Sequence, residues 1–332
     1  MPGVAVIGMG HWGKNHARVY KELLSEGVID SLKLCDLDEN RAGQWGETLE
    51  VEYVTGYRDV IEDDSIQAVS IVTPSKTHYQ IGKEFMEAGK DVLVEKPMTM
   101  DIGEAEKLVE VAAGNNRILM VGHIFRYHPA VCELKRRIDA GELGQIQNII
   151  GHRLDYGLPR RDMGVIYALG SHELDLFCYL TGVDYPKSLI AAESRSYGQN
   201  TEETAVIVMD FGHAKGYAFE SWLVAAYGRM RDVVVVGSER SARVDYLKQQ
   251  ELHLFDSRIV TEEGIPVNAE DGGNSIVSLH YAEPLKEELK HFMSCVVSRQ
   301  SPLTDSAVGL RAVVMAEAAT RSARTGESVK LF

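Results

Sequence analysis

Two stretches near the start of this sequence carry residue types spaced for chemistry. The first is Val4-Ala-Val-Ile-Gly8-Met-Gly10-His11-Trp12-Gly13, an apolar run followed by glycines at G-x-G-x-x-G spacing. Each glycine has its own task. Gly8 makes a tight turn, Gly10 lets a pyrophosphate approach bare backbone, and Gly13 allows a helix to pack closely on the strand. The helix start then offers unpaired N–H groups to phosphate oxygens. His11 and Trp12 lie inside this loop and are read as lining the same ligand, although Trp12 serves equally well as core. A second apolar run ends in Asp36, with Asp38 as a competing acid. A carboxylate there accepts hydrogen bonds from ribose hydroxyls and repels a 2′-phosphate. The pattern predicts a dinucleotide site that takes NAD in preference to NADP.

The second stretch is Glu95-Lys96-Pro97, and Thr73-Pro74-Ser-Lys-Thr-His78 stands beside it in kind. Both follow strand-like runs, so both fall at the carboxyl ends of strands, where open α/β sheets bind ligands. Thr73, Pro74, His78, Glu95 and Lys96 are therefore assigned to the cofactor side. A lysine there can also polarise a substrate hydroxyl and ease its loss of a proton. An isolated E-K-P is more often a surface lysine beside a turn proline; its place in the strand-helix order argues otherwise.

The elements that must hold these residues alternate. Val4–Gly8, Leu32–Asp36, Ala68–Thr73, Asp91–Glu95 and Ile118–Gly122 read as buried parallel strands. His11–Leu24, Glu39–Leu49, Thr77–Ala88 and Asp101–Ala113 read as the helices between them, the last opening on a D-x-x-E capping pattern. This order predicts a doubly wound Rossmann sheet over residues 1–122. From 123 to 332 the texture changes to a helix at Pro129–Ala140 and seven extended segments from Gln145 to Phe255. A second α/β domain with an open, largely antiparallel sheet is expected, for substrate binding and oligomerisation. Residues 256–279 read as a long loop, and two closing helices are placed at Ala282–Ser298 and Thr304–Thr325, the latter packing back toward the first domain.

Composition narrows the function classes. The 332 residues are 45% hydrophobic with a formal net charge of −14, which disfavours nucleic acid and anionic membranes as partners. The apolar runs are strand-sized, well short of the roughly 20 residues a membrane span needs. Met1-Pro-Gly enters Val4 with no basic leader, and the four cysteines are widely spaced, so reduced thiols in a cytoplasm are expected. The histidines offer no zinc-like spacing, and no metal is expected.

Taken together, Gly8–Gly13, Thr73-Pro74, Glu95-Lys96-Pro97, Gly122-His-Ile-Phe-Arg126-Tyr127-His-Pro129, Gly170-Ser-His172-Glu-Leu-Asp175 and the closing alanine-rich helix resemble the Gfo/Idh/MocA oxidoreductases. Gly10–Arg18 and Arg161-Asp-Met-Gly164 look most like its UDP-N-acetylglucosamine 3-dehydrogenase branch. The resemblance covers nearly the whole chain. It implies catalysis by Lys96 and His172, with the imidazole as acid/base at a secondary hydroxyl of a sugar. It also implies substrate contacts by Arg126, Tyr127, Arg160, Arg161 and His172, Arg153 joining the arginines suited to a diphosphate. The alternative for Arg160 and Arg161 is a solvated loop where they pair with Asp162.

One position departs from the family pattern. Many relatives carry an aspartate four residues before the histidine, and this chain has Ala168. Three outcomes stay open: Asp175 or Glu173 substitutes, Tyr167 contributes a phenol, or the chemistry is weakened. Three functions are accordingly weighed: a UDP-N-acetylhexosamine 3-dehydrogenase, a polyol or free-sugar dehydrogenase, and a non-catalytic NAD-binding sensor or scaffold. A homodimer or homotetramer through the open sheet is expected in each case.

Overall fold

The computed structural model describes residues 1–198 and 200–331. In chain order the first elements are β1 (Val4–Ile7), α1 (Gly13–Ser25), β2 (Leu32–Cys35), α2 (Glu39–Leu49), β3 (Glu52–Val54), α3 (Tyr57–Ile61) and β4 (Ala68–Ile71). Next come α4 (His78–Glu87), β5 (Asp91–Glu95), α5 (Ile102–Gly114), β6 (Leu119–Gly122), α6 (Pro129–Asp139), β7 (Ile146–Leu154) and α7 (Ser171–Thr181). Seven strands follow without a helix between them: β8 (Ser188–Ser194), β9 (Thr204–Asp210), β10 (Lys215–Ser221), β11 (Met230–Gly237), β12 (Ser241–Asp245), β13 (Glu251–Glu262) and β14 (Ile265–Ser278). The chain closes with α8 (Pro284–Ser298), α9 (Ser306–Thr325) and β15 (Val329–Lys330). Among the described residues no helix is long and apolar enough to cross a membrane.

Contacts divide the chain into two units, Met1–Ile124 with Glu283–Val313, and Phe125–Ala282 with the residues from Val314 on. The first holds a six-stranded sheet ordered β3-β2-β1-β4-β5-β6, in which every neighbouring pair is parallel. Its strands are continuous apolar runs because helices cover both faces. Ile7, Val69, Ile71, Val92 and Val94 form the core with Phe85, Met86 and Leu108 from the helices. β3 and α3 were not foreseen; at three and five residues they are too short for a periodic signal.

The second unit holds a nine-stranded sheet ordered β14-β13-β12-β11-β7-β10-β9-β8-β15. Only β7 and β10 pair in parallel; the other neighbours are antiparallel. The expected loop at 256–279 is instead part of a long hairpin of β13 and β14. Its turn is Glu263-Gly264, both at positive φ, which suits a tight two-residue hairpin turn. Gly272-Gly273, which read as a loop signal, sits at a register shift inside the ladder.

α7 packs against the sheet through missing side chains. A Cβ on Gly151 would lie 2.9 Å from Glu173 Cγ and 3.0 Å from the Phe177 ring, and one on Gly216 would lie 2.7 Å from that ring. The opposite sheet face is open. Along one cross-strand row stand Ile190, Val208, Tyr217, Ile150 and Val234, with Ile190 43% and Tyr217 39% exposed.

Gly151→Ala is expected to lower stability by about 1–3 kcal/mol through overpacking. Calorimetry should register this as a Tm loss of several degrees. Gly114→Ala, where an added Cβ meets nothing within 4 Å, should leave Tm near its original value.

Candidate active site

In the first unit the residues expected to form the site sit on the loops that leave β1, β2, β4 and β5. Gly8 has φ +98°, and a Cβ there would lie 2.8 Å from the Val72 carbonyl oxygen. A Cβ on Gly13 would lie 1.8 Å from the Gly8 oxygen, so α1 can start this close to β1 only on a bare Cα. Gly10 is the opposite case: an added Cβ meets nothing within 4 Å. The loop therefore faces open space at the position expected to meet a pyrophosphate. Trp12 supplies no side-chain cap to α1, and the first turn holds no acid, so its N–H groups suit an anion. A dinucleotide fits these residues.

The structure separates the two competing acids. Asp38 is the N-cap of α2, accepting from the Arg41 backbone N–H at 3.2 Å. Asp36 lies at the end of β2, where its carboxylate accepts from the Met9 N–H at 2.7 Å and the Asp38 N–H at 2.9 Å. Arg41 reaches the same carboxylate, Nη1 standing 3.2 Å from Oδ2. Sequence reasoning missed Arg41, whose only signal is its place in the first turn after Asp38.

Glu95, at the end of β5, gathers the neighbouring loops. It accepts from Trp12 Nε1 at 2.7 Å and lies 2.9 Å from His16 Nε2, while the Lys96 N–H donates at 3.2 Å. Burial opposes its ionisation, but these hydrogen bonds and the Lys96 charge outweigh it and hold the pKa below the usual range. His78 has both ring nitrogens 2.9 Å from carbonyl oxygens, those of Thr73 and Pro97. It is a buried brace between the loops after β4 and β5. Thr73 Oγ1 also accepts from Thr77 at 2.7 Å. His11 is exposed and Trp12 partly so.

In the second unit a π-helical turn, Ile166–Gly170, leads into α7. Such turns concentrate at functional sites. His172 follows, half-buried, with the half-buried Tyr167 in the turn before it and Ala168 buried. The acids after His172 pair with arginines. Asp175 takes a two-pronged bond from Arg126, at 2.9 and 2.5 Å, and Glu173 takes one from Arg153. Arg126 and Tyr127 are both buried. Arg160 pairs with Asp162 at 3.0 and 2.6 Å on an exposed loop. Arg161 is exposed on the same loop and has no partner among the described residues.

Comparison with known proteins matches two family models. Residues 3–123 match the oxidoreductase family's NAD-binding Rossmann fold, and 135–331 match its C-terminal α/β domain. The chain belongs to the Gfo/Idh/MocA oxidoreductase family. It is an NAD-dependent dehydrogenase acting on CH–OH. It is 30% identical to a scyllo-inositol 2-dehydrogenase (NAD(+)) of Bacillus subtilis, over 98% of this chain and 95% of the relative. It is also 30% identical to a UDP-N-acetylglucosamine 3-dehydrogenase of Acidithiobacillus ferrooxidans, over 94% of each chain. A solved structure of the UDP-N-acetylglucosamine 3-dehydrogenase from that organism superposes with a TM-score of 0.83 at 27% identity, covering 97% of both chains.

Arg41 beside Asp36 shapes a cofactor prediction. Asp36→Ser should narrow the preference for NAD over NADP at least tenfold, because the freed guanidinium can meet a 2′-phosphate. Adding Arg41→Ala should reverse that gain. Titration calorimetry with both dinucleotides checks it, and equal affinities in the unaltered protein would remove the argument.

Proposed function

We propose that this dehydrogenase oxidises a secondary hydroxyl of a sugar, with C3 of a UDP-N-acetylhexosamine as the reacting position. The observation that carries this reading is the likeness to a UDP-N-acetylglucosamine 3-dehydrogenase across 94% of both chains. Arg161 supports it. It is the one arginine of Arg126, Arg153, Arg160 and Arg161 without an acidic partner, and a chain of net charge −14 must bring a cation to a diphosphate. Polyol oxidation is the second reading, favoured by the equal identity to the inositol dehydrogenase.

Lys96 is assigned to polarise the hydroxyl and His172 to take its proton. Imidazole suits that task because it exchanges a proton near neutral pH. When bound, NAD supplies the hydride acceptor. Gly8, Gly10, His11, Trp12, Gly13, Asp36, Thr73, Pro74 and Glu95 are assigned to hold it, and His78 to hold Thr73 and Pro97. Arg126 acts as a support for α7 through Asp175 in this reading, Tyr127 beside it is buried, and Arg160 and Arg161 are presented to the substrate.

The open sheet face is assigned to a second copy of the chain, giving a dimer or tetramer. Large apolar side chains at Ile190, Val206 and Tyr217 are about two-fifths exposed there, a patch monomers rarely leave bare. All four cysteines are free thiols, in keeping with a reducing cytoplasm.

NADH formation across UDP-N-acetylglucosamine, UDP-N-acetylgalactosamine, scyllo-inositol and myo-inositol tests the substrate assignment; turnover of the inositols alone would overturn it. On the UDP-sugar, Arg161→Ala should raise KM roughly tenfold with little change in kcat. Lys96→Ala and His172→Asn should each lower kcat by about 10²–10⁴-fold while leaving NAD affinity near normal. Light scattering after gel filtration should find the unaltered protein oligomeric and Tyr217→Glu dissociated; a monomeric unaltered protein would refute the interface.

A further inference from the structure

The second unit buries an ionisable cluster that the proposed chemistry does not use. Arg153 on β7 is 1% exposed, and Glu173 on α7 and Glu220 on β10 are 0% exposed. Arg153 and Glu220 are cross-strand partners of the parallel pair β7 and β10. Glu173 comes down from α7 over Gly151, the bare position that lets its side chain reach Arg153. Arg153 Nε then donates to Glu173, 2.6 Å from Oε1 and 2.5 Å from Oε2.

Two carboxyls and one guanidinium in a dry place cannot all be charged without cost. As a carboxylate, Glu220 has no donor for either oxygen and stands against a second anion. As a carboxylic acid it donates to Glu173, and the cluster becomes neutral. Burial, then the Glu173 charge, push Glu220 well above the usual carboxyl range. Burial raises Glu173 too, but the Arg153 charge opposes it.

The cluster reaches His172 by two routes. Glu173 is the next residue on the same helix. Through space, Arg153 Cζ lies 4.0 Å from the Phe125 ring centroid and 4.9 Å from that of Tyr246. Phe125 in turn meets the His172 ring edge to face, with centroids 4.9 Å apart and planes at 79°. Tyr246 contacts Phe125 as well, at 4.6 Å. A guanidinium over an aromatic face restrains that ring, and a restrained ring restrains the imidazole it touches.

We propose that Arg153, Glu173 and Glu220, sharing one proton, are positioning residues that set the His172 imidazole through the Phe125 ring. The methyl group of Ala168 can do no such orienting. This proposal rests on the assignment of His172 as acid/base, and its test separates the two.

The test measures kcat, KM and the ¹⁵N resonances of His172, assigned by His172→Asn, in Phe125→Leu, Glu220→Leu and Glu220→Gln. Kinetics use the substrate turned over fastest in the panel above; the resonances need no substrate. Phe125→Leu and Glu220→Leu should lower kcat at least tenfold, hold KM within twofold and shift the His172 resonances. Glu220→Gln keeps an N–H donor toward Glu173, so kcat should stay within threefold of the unaltered enzyme. It should also remove the infrared carbonyl stretch of one protonated carboxylic acid. A purely structural role would lower Tm while leaving kcat per folded site and the His172 resonances in place. Folded Phe125→Leu with unchanged resonances and kcat overturns the proposal, and equal damage from Glu220→Gln and Glu220→Leu removes the shared proton. Full turnover by His172→Asn overturns the acid/base assignment instead, while the resonances still report whether Phe125 holds the ring.

Discussion

Bare backbone at the contact of a helix start with a strand is the constraint on which the remaining structure depends. In the first unit α1 begins where a Gly13 Cβ would sit 1.8 Å from the Gly8 oxygen. The N–H groups of that helix can therefore stand at the carboxyl end of β1, where an anion is held without a charged side chain. In the second unit α7 lies over Gly151 and Gly216, which brings Glu173 down to Arg153 and sets His172 at the head of the helix. In both cases the start of a helix is placed by the side chain that is missing beneath it.

Charge is handled differently inside and outside. The chain carries 35 basic against 49 acidic residues, and two of its buried arginines are matched with carboxylates, Arg126 with Asp175 and Arg153 with Glu173. A buried guanidinium needs that match, because an unpaired charge in a low-dielectric interior costs several kcal/mol (order of magnitude). On an exposed loop, where water screens charge, Arg160 is tied to Asp162 and Arg161 is not.

The large second sheet has one face closed by helix packing and one open. Alternation on β10 sorts Gly216, Ala218 and Glu220 inward and Tyr217 outward, so the aromatic side chain ends on the uncovered face. Small residues inward are what α7 requires; the apolar row outward is the consequence that the quaternary assignment addresses.

Local chemistry in the sequence determined the nucleotide-binding half almost completely. Glycine spacing, strand-helix alternation and the acid ending β2 are short-range features, and β1, α2 and β5 fall within a residue of where the pattern places them. Family motifs added Lys96 and His172. The pairing of groups far apart in the chain was decided only by tertiary structure. Nothing in the sequence says that Arg126 meets Asp175, that Arg41 leans on Asp36, or that the His78 ring lies between the Thr73 and Pro97 carbonyls. The hairpin beyond Phe255 was hidden because its exposed ladder carries no hydrophobic period and its glycines read as loop. Glu220 shows the limit best. In the sequence it is one more acid on a strand, and only burial and the neighbouring Glu173 charge push its carboxyl well above the usual range, against the pull of Arg153.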